Sequence, residues 1–341
     1  MAVVTWDAGG GSTNMATGSN WSTDSAPDAT SDVVIPDTSG MTHRPEIGAD
    51  VTWNSLTIQA NGELAGNTSY TLTLDGEADG TGATTNGYAV HFAGNGTIGT
   101  DLNLTVTTAS TTLCQLVAAS GTVRNFTYNA SGRECYGVGD TTINGDLTIT
   151  AGTFQMYNDA DLTVAGATSI TGTLICNDSA VSLGSGYSSG YAVTVNDGGT
   201  FTGGTGTHTI GSFNMAAGST TVFSSGVTTI NSHDGGNITI AWNVQTSGSF
   251  DDGNGTVTFT RAGNQYLHVG GNIATTLYNV IINHSSCNVQ WRDTLGATLL
   301  TIANDFTITA GTFNTNESDG ANPRNLTVTK HIDVTGTLTG N

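Results

Sequence analysis

"DLTITAGTF" at residues 146–154 returns as "DFTITAGTF" at residues 305–313. In both, a large apolar residue and an isoleucine stand two apart, with threonine between them. That alternation is the pattern of a strand with one buried face. An Ala-Gly pair follows, and glycine is the residue that tolerates a tight or left-handed corner. The stretch therefore reads as a strand, a corner and the start of the next strand. A second block follows in the same order each time: "LTVAGATSITGTL" at 162–174 and "LTVTKHIDVTGTL" at 326–338. Only the connectors differ, "QMYNDAD" in one place and "NTNESDGANPRN" in the other. In a solenoid, length changes of that kind map to loops on the outside. One structural unit is used twice.

The same grammar covers most of the chain. "NSLTIQANGELAGNTSYTLTLDG" (54–76) and "YAVTVNDGGTFTGGTGTHTIGSFNMAAGSTTVF" (191–223) alternate apolar residues with Thr, Ser or Asn and turn at Gly, Asn or Asp. Equivalent strands recur at roughly 15–35 residues, the range of solenoid repeats. A unit that short cannot bury its own apolar face, but stacked units share one core. Thr and Val dominate because β-branched side chains suit a pleated surface. No apolar stripe at i, i+3, i+4 is long enough for a ten-residue helix. The chain is predicted to be all-β, a right-handed parallel β-helix or β-solenoid of Gly/Thr/Asn-rich rungs. Residues 1–53 read as an amino-terminal cap and attachment segment, and 54–341 as the solenoid. The alternative is two related halves with a boundary near 175–190.

Composition narrows the function. The 341 residues include 47 Gly and 4 Pro, and only 10% are charged. Seven Lys and Arg stand against 27 Asp and Glu, for a net charge of -20. Lys330 is the sole lysine. Nucleic acid and anionic membranes both require clustered cations, so neither is an expected partner. No run of about 20 apolar residues predicts membrane insertion. "MAVVTWDAGGG" has neither a basic n-region nor an apolar h-region, so no secretory leader is expected. At 36% hydrophobic, with those residues in register, the chain is not a disordered linker. Cys114, Cys135, Cys176 and Cys287 lack metal-ligand spacing and are expected to be buried thiols.

Two acidic stretches could carry chemistry. "DGEADG" holds Asp75, Glu77 and Asp79; "FDDGNG" holds Asp251 and Asp252. Paired carboxylates cleave glycosides as acid and base or acid and nucleophile. Aspartate beside glycine is also ordinary turn chemistry, and that reading is preferred. No enzyme is expected, with a polysaccharide hydrolase or lyase as the minority alternative. The histidines, His43, His91, His208, His233, His268, His284 and His331, are expected on the surface or in loops. "GGNITIAW" and "GGTGTHTI" lack the aspartate of the calcium-binding nonapeptide, so no cofactor is expected beyond opportunistic calcium. Trp6, Trp21 and Trp53 are expected to plug the end of the core as a cap. Tyr187, Tyr191, Tyr266 and Tyr278 are the expected surface aromatics for a ligand or a sister chain.

Two segments carry a family likeness. "TWDAGGGSTNMATGSNWSTDSAPDATSDVVIP" (5–36) resembles the amino-terminal segment of repetitive β-helix surface proteins, through Trp6, Asn20-Trp21-Ser22, Pro27 and Asp32-Val33-Val34-Ile35-Pro36. "GTVTFTRAGNQYLHVGGNIATTLYNVIINHSS" (255–286) is similar to a recurrent rung of the same proteins. The family comprises bacterial adhesins and the fibres, spikes and head decorations of tailed phages. The resemblance implies a non-enzymatic structural or adhesive virion protein. Its solenoid would serve assembly or contact with host-surface glycan. The implied partners are other virion proteins and further copies of the chain, with a homotrimer expected. The alternatives are an extracellular adhesin on a bacterial surface and a polysaccharide-cleaving tailspike. Unlike the adhesins, the sequence shows no export signal or anchoring module, and it reaches "LTGN" without a polar cap.

Overall fold

The computed structural model describes residues 1–77, 88–92, 96–99, 101–107, 114–117, 122–157, 159–184, 187, 190–231, 240–244, 248–269, 275–292, 299–315 and 325–340. The chain is all-β, with about 1% helix, and its parallel sheets stack as a β-solenoid of about 10 turns. Among the described residues no helix is long and apolar enough to cross a membrane. Two compact units form, Met1–Thr163 and Val164–Asn341.

In the first unit, like stacks on like. Val51–Trp53, Thr71–Leu74, Asn103–Val106, the start of Asn125–Gly137 and the start of Leu147–Met156 pair in parallel, one above the next. Leu72, Leu104, Phe126 and Leu147 form one inward column, and Leu74, Val106, Tyr128 and Ile149 the next; all are buried. Each such side chain contributes about 1.5–3 kcal/mol by leaving water. Thr52, Thr73, Thr105, Thr127 and Thr148 form the outward column of the same strands. Stacked polar groups also meet where the strands begin. Asn125 Nδ2 donates to Asn103 Oδ1 at 2.8 Å, and the Asp146 backbone N–H donates to Asn125 Oδ1 at 2.7 Å. These ladders satisfy amides that a corner would otherwise leave bare.

The second unit uses the same scheme with an aromatic core. Val193, Phe213 and Trp242 stack in register. Phe223 lies 4.9 Å from Phe213 and 5.0 Å from Trp242, and Trp242 lies 5.2 Å from Phe250, mostly edge to face. Such pairs add to simple burial. A coil takes 20 residues from Val193 to Phe213 and, in the first unit, 34 from Leu56 to Val90. Cys135, Cys176 and Cys287 are buried, and burial pushes the Cys176 and Cys287 thiols up to about 12. The side chain of Cys114 lies outside the described residues.

The repeated nonapeptide occupies the same place twice. Leu147–Met156 and Asp305–Asn314 match in burial residue for residue, from Leu147/Phe306 through Phe154/Phe313. Each pairs with a preceding strand that bulges at the same point. Asn129 faces Ala151 and Glu134 faces Thr153; Asn283 faces Ala310 and Asn288 faces Thr312. The residues between, 130–133 and 284–287, therefore leave the ladder to the following strand as matching excursions over a glycine corner. Gly152 has φ 81° and Gly311 φ 94°. A Cβ on Gly152 would stand 2.2 Å from the Ala130 carbonyl oxygen. Gly152→Ala is expected to lose at least about 1–3 kcal/mol in urea unfolding. Gly132→Ala, at φ 71° but with nothing within 4 Å of the new carbon, should lose clearly less. Equal losses would show that the clash contributes nothing.

The histidine expectation needs correction. His208 is buried, as is His268. In His208–Ile210 the alternation places His208 and Ile210 inward, and His208 stacks between Val181 and Thr228. The strand period decides the direction, whatever the polarity of the ring.

Candidate functional site

The acidic residues serve turns and coil contacts. Asp251 Oδ1 accepts the Gly253 N–H at 2.9 Å. Asp252 Oδ1 accepts the Asn254 N–H at 3.1 Å, and its Oδ2 accepts the N–H of Tyr278 in the next coil. Burial raises the Asp252 pKa, opposed in part by those two amides. Asp251 is exposed and Asp252 buried, so the neighbours do not share an environment. Asp75 is exposed, and its backbone N–H donates to the Trp53 carbonyl at 3.1 Å. Glu77 is buried, and its backbone carbonyl accepts Asn54 Nδ2 at 2.8 Å. Asp79 lies outside the described residues. Among the described residues, no cluster of three or more His, Cys, Asp or Glu side chains is placed to hold a metal ion.

The three amino-terminal tryptophans do come together. Trp6 and Trp21 meet edge to face at 5.0 Å, and Trp21 and Trp53 at 6.3 Å. All three are buried, with Trp6 Nε1 donating to the His43 carbonyl at 3.2 Å and Trp21 Nε1 to the Met15 carbonyl at 2.8 Å. Beside them lies a cleft of about 440 Å³, lined mainly by Met15, Pro27, Ile47, Val51 and Trp53, with Asp50 at its edge. Asp50 Oδ1 is already engaged by the Thr71 N–H at 2.8 Å.

The four tyrosines are scattered along the second unit, and all are half-buried. Tyr278 belongs to the coil stack: its N–H serves Asp252, and its carbonyl accepts the Asn304 N–H at 2.9 Å. Tyr187 closes a turn on the Gly184 carbonyl, and Tyr191 precedes the strand Val193–Val195.

Tyr266 has the most distinctive surroundings. It lies on Gly263–Val269 between two buried residues, Gln265 and Leu267, so its ring takes the outward side. It stands opposite Gln290 in the next coil and stacks at 6.3 Å and 28° with His268. Amides surround it. Asn288 Nδ2 and Gln290 Nε2 both donate to Asn264 Oδ1, at 2.8 and 3.3 Å. One column over, Asn243 Nδ2 donates to Asn214 Oδ1 at 2.7 Å, and Asn243 pairs with His268. Rung spacing of about 4.8 Å sets these amides in rows beside an aromatic face.

Reading the residues singly picked out Tyr266 but missed the amides. Their signal was in the text: Asn or Gln recurs at outward strand positions in "FNM", "AWNV", "GNQYLHV" and "SCNVQ". Such a surface can stack a flat apolar ligand face and exchange hydrogen bonds with hydroxyls. No family model, curated protein or solved structure matches the chain.

Proposed function

We propose that this chain is a non-enzymatic structural and adhesive protein of a tailed-phage virion, a fibre, spike or capsid decoration. In this reading its rigid rungs present a glycan-contact face around Tyr266. The observation that carries it is the outward Tyr266 ring set among Asn264, Asn288, Gln290 and Asn243. Sugars offer apolar ring faces flanked by hydroxyls, and amides both donate and accept. With seven cations in the whole chain, a neutral glycan fits better than an acidic one. Weak sites gain strength when many copies are displayed together.

The experiment is titration of the purified chain against neutral bacterial surface polysaccharides. Tyr266→Ala is expected to weaken binding roughly tenfold with the fold intact. A folded chain that binds no glycan, or a variant that binds as well as its parent, overturns the reading. The same incubations separate the cleaving alternative from the adhesive readings. A polysaccharide-cleaving tailspike would release new reducing ends. A bacterial surface adhesin would bind through the same face without cleavage.

A further inference from the structure

Tyr157 is 47% exposed, more open to water than any other Trp, Tyr or Phe among the described residues. It follows the strand Leu147–Met156, and its N–H donates to the Gly137 carbonyl of the preceding coil at 2.9 Å. Its ring meets that of Tyr136 edge to face, at 5.8 Å and 88°. Tyr136 lies between buried Cys135 and buried Gly137, so its ring takes the outward side, opposite Gln155 in the next coil. Its hydroxyl donates to Glu134 Oε2 at 2.6 Å. That bond, with some loss of hydration and the negative charge beside it, pushes the phenol up to about 12 and keeps its proton in place. The internal repeat supplies a comparison. Glu134 faces Thr153 and Tyr136 faces Gln155, as Asn288 faces Thr312 and Gln290 faces Asn314. The second copy thus holds two neutral amides where the first holds a carboxylate and a phenol. All four lie on the outward side of their strands, so stacking the coils does not dictate the change.

We propose that Glu134, Tyr136, Gln155 and Tyr157 form a binding site for a saccharide carrying a free primary ammonium group, a de-N-acetylated amino sugar. The Tyr136 proton is engaged by Glu134, so the phenol oxygen and the carboxylate present only acceptors. A carboxylate accepts at several positions, and one phenol leaves it capacity. An ammonium group brings three donors and the opposite charge. Two tyrosine rings set at right angles attract the same cation through their faces and pack against the C–H groups of a sugar ring. Gln155 adds an amide for ring hydroxyls. The turn after Tyr157, closed by the Ala160 N–H on the Tyr157 carbonyl at 3.3 Å, carries exposed Asp159 and Asp161. Their charges deepen the negative potential around the rings. A quaternary ammonium could use the rings but has no N–H for the two oxygens. This site lies in the first unit and takes a charged ligand, so it holds or fails independently of the Tyr266 face.

The test is calorimetric titration of the purified chain with a glucosamine tetrasaccharide, its N-acetylated counterpart and choline. The glucosamine oligomer is expected to bind at least about tenfold more tightly than either of the others, and more weakly as salt rises. Tyr157→Ala, at an exposed position, should weaken it roughly tenfold with the circular dichroism spectrum unchanged. Glu134→Gln, which keeps the shape and removes the charge, should weaken it comparably and flatten the salt dependence. Equal affinity for the amine and its N-acetylated form overturns the proposal, as does no binding of the amine at all. So does choline binding as tightly as the amine, or either variant binding as its parent does. Glucosamine binding by a chain that takes up no neutral polysaccharide upholds this site and overturns the Tyr266 reading. The reverse pattern overturns this site alone.

Discussion

Trp21→Ala is expected to destabilise the first unit by about 3–5 kcal/mol, the range for removing a fully buried large aromatic. Trp21 is the middle ring of the Trp6–Trp21–Trp53 stack. Its removal strips both partners of an edge-to-face contact and frees the Met15 carbonyl from the indole N–H. The neighbouring cleft of about 440 Å³ gives the site little to collapse onto. Coils depend on their nearest neighbours, so the loss should spread coil by coil from the tryptophans. Hydrogen exchange should therefore quicken first in Ser31–Ile35 and Ser55–Ile58, and less in Leu147–Met156. The second unit should keep its protection. Unchanged exchange in the first two segments would remove the tryptophans from any capping role.

Acid is expected to weaken the second unit through His208. The ring is buried against Phe201, at 6.0 Å between centroids, and neither nitrogen meets a hydrogen-bond partner of good geometry. Burial pushes its pKa from 6.5 down to about 4, with the nearby Gly203 backbone offsetting only part. The folded pKa lies below the unfolded one, so the unfolded state takes up the proton first. Stability is complete above pH 6.5 and falls as the pH drops from 6.5 towards 4. The total loss is about 3 kcal/mol. Asp252 works the other way, since its raised pKa means that acid relieves a buried charge. The comparison with His208→Leu isolates the histidine. In urea titrations at pH 7 and pH 4, the parent should lose about 3 kcal/mol more than the variant. Equal losses would mean that water or a carbonyl already serves the ring.

Strand direction and corners were legible in the text because both follow local rules. Two-residue alternation sends Leu72, Leu74, Phe126 and Ile149 inward and Thr73, Thr105, Thr127 and Thr148 outward. The Ala-Gly corners sit at Gly152 and Gly311, where φ is positive. Trp6, Trp21 and Trp53 stood out together in the text, and they stack edge to face. What escaped depends on neighbours distant in sequence. His208 is the exception: its inward turn follows the local strand period that it shares with Ile210. The excursions at 130–133 and 284–287 share one serine and little else, and their likeness emerges only when each is set against the strand that follows. The amides around Tyr266 come from separate coils, with lengths between them that vary too much for residue counting to align.

The two copies of the nonapeptide lie 159 residues apart, from 146 to 305. Both carry the same inward residues and the same glycine corner, and both are followed by an equivalent block. An unequal genetic exchange between the two encoding stretches would therefore splice residue 154 directly to residue 314. The strand at the join would keep its phenylalanine inside, and the block at 326–338 would follow it as the block at 162–174 does now. The reverse event would lengthen the protein by the same segment. A gene of this kind can change the length of its product by recombination, in whole coils, without passing through an ancestor whose core is out of register.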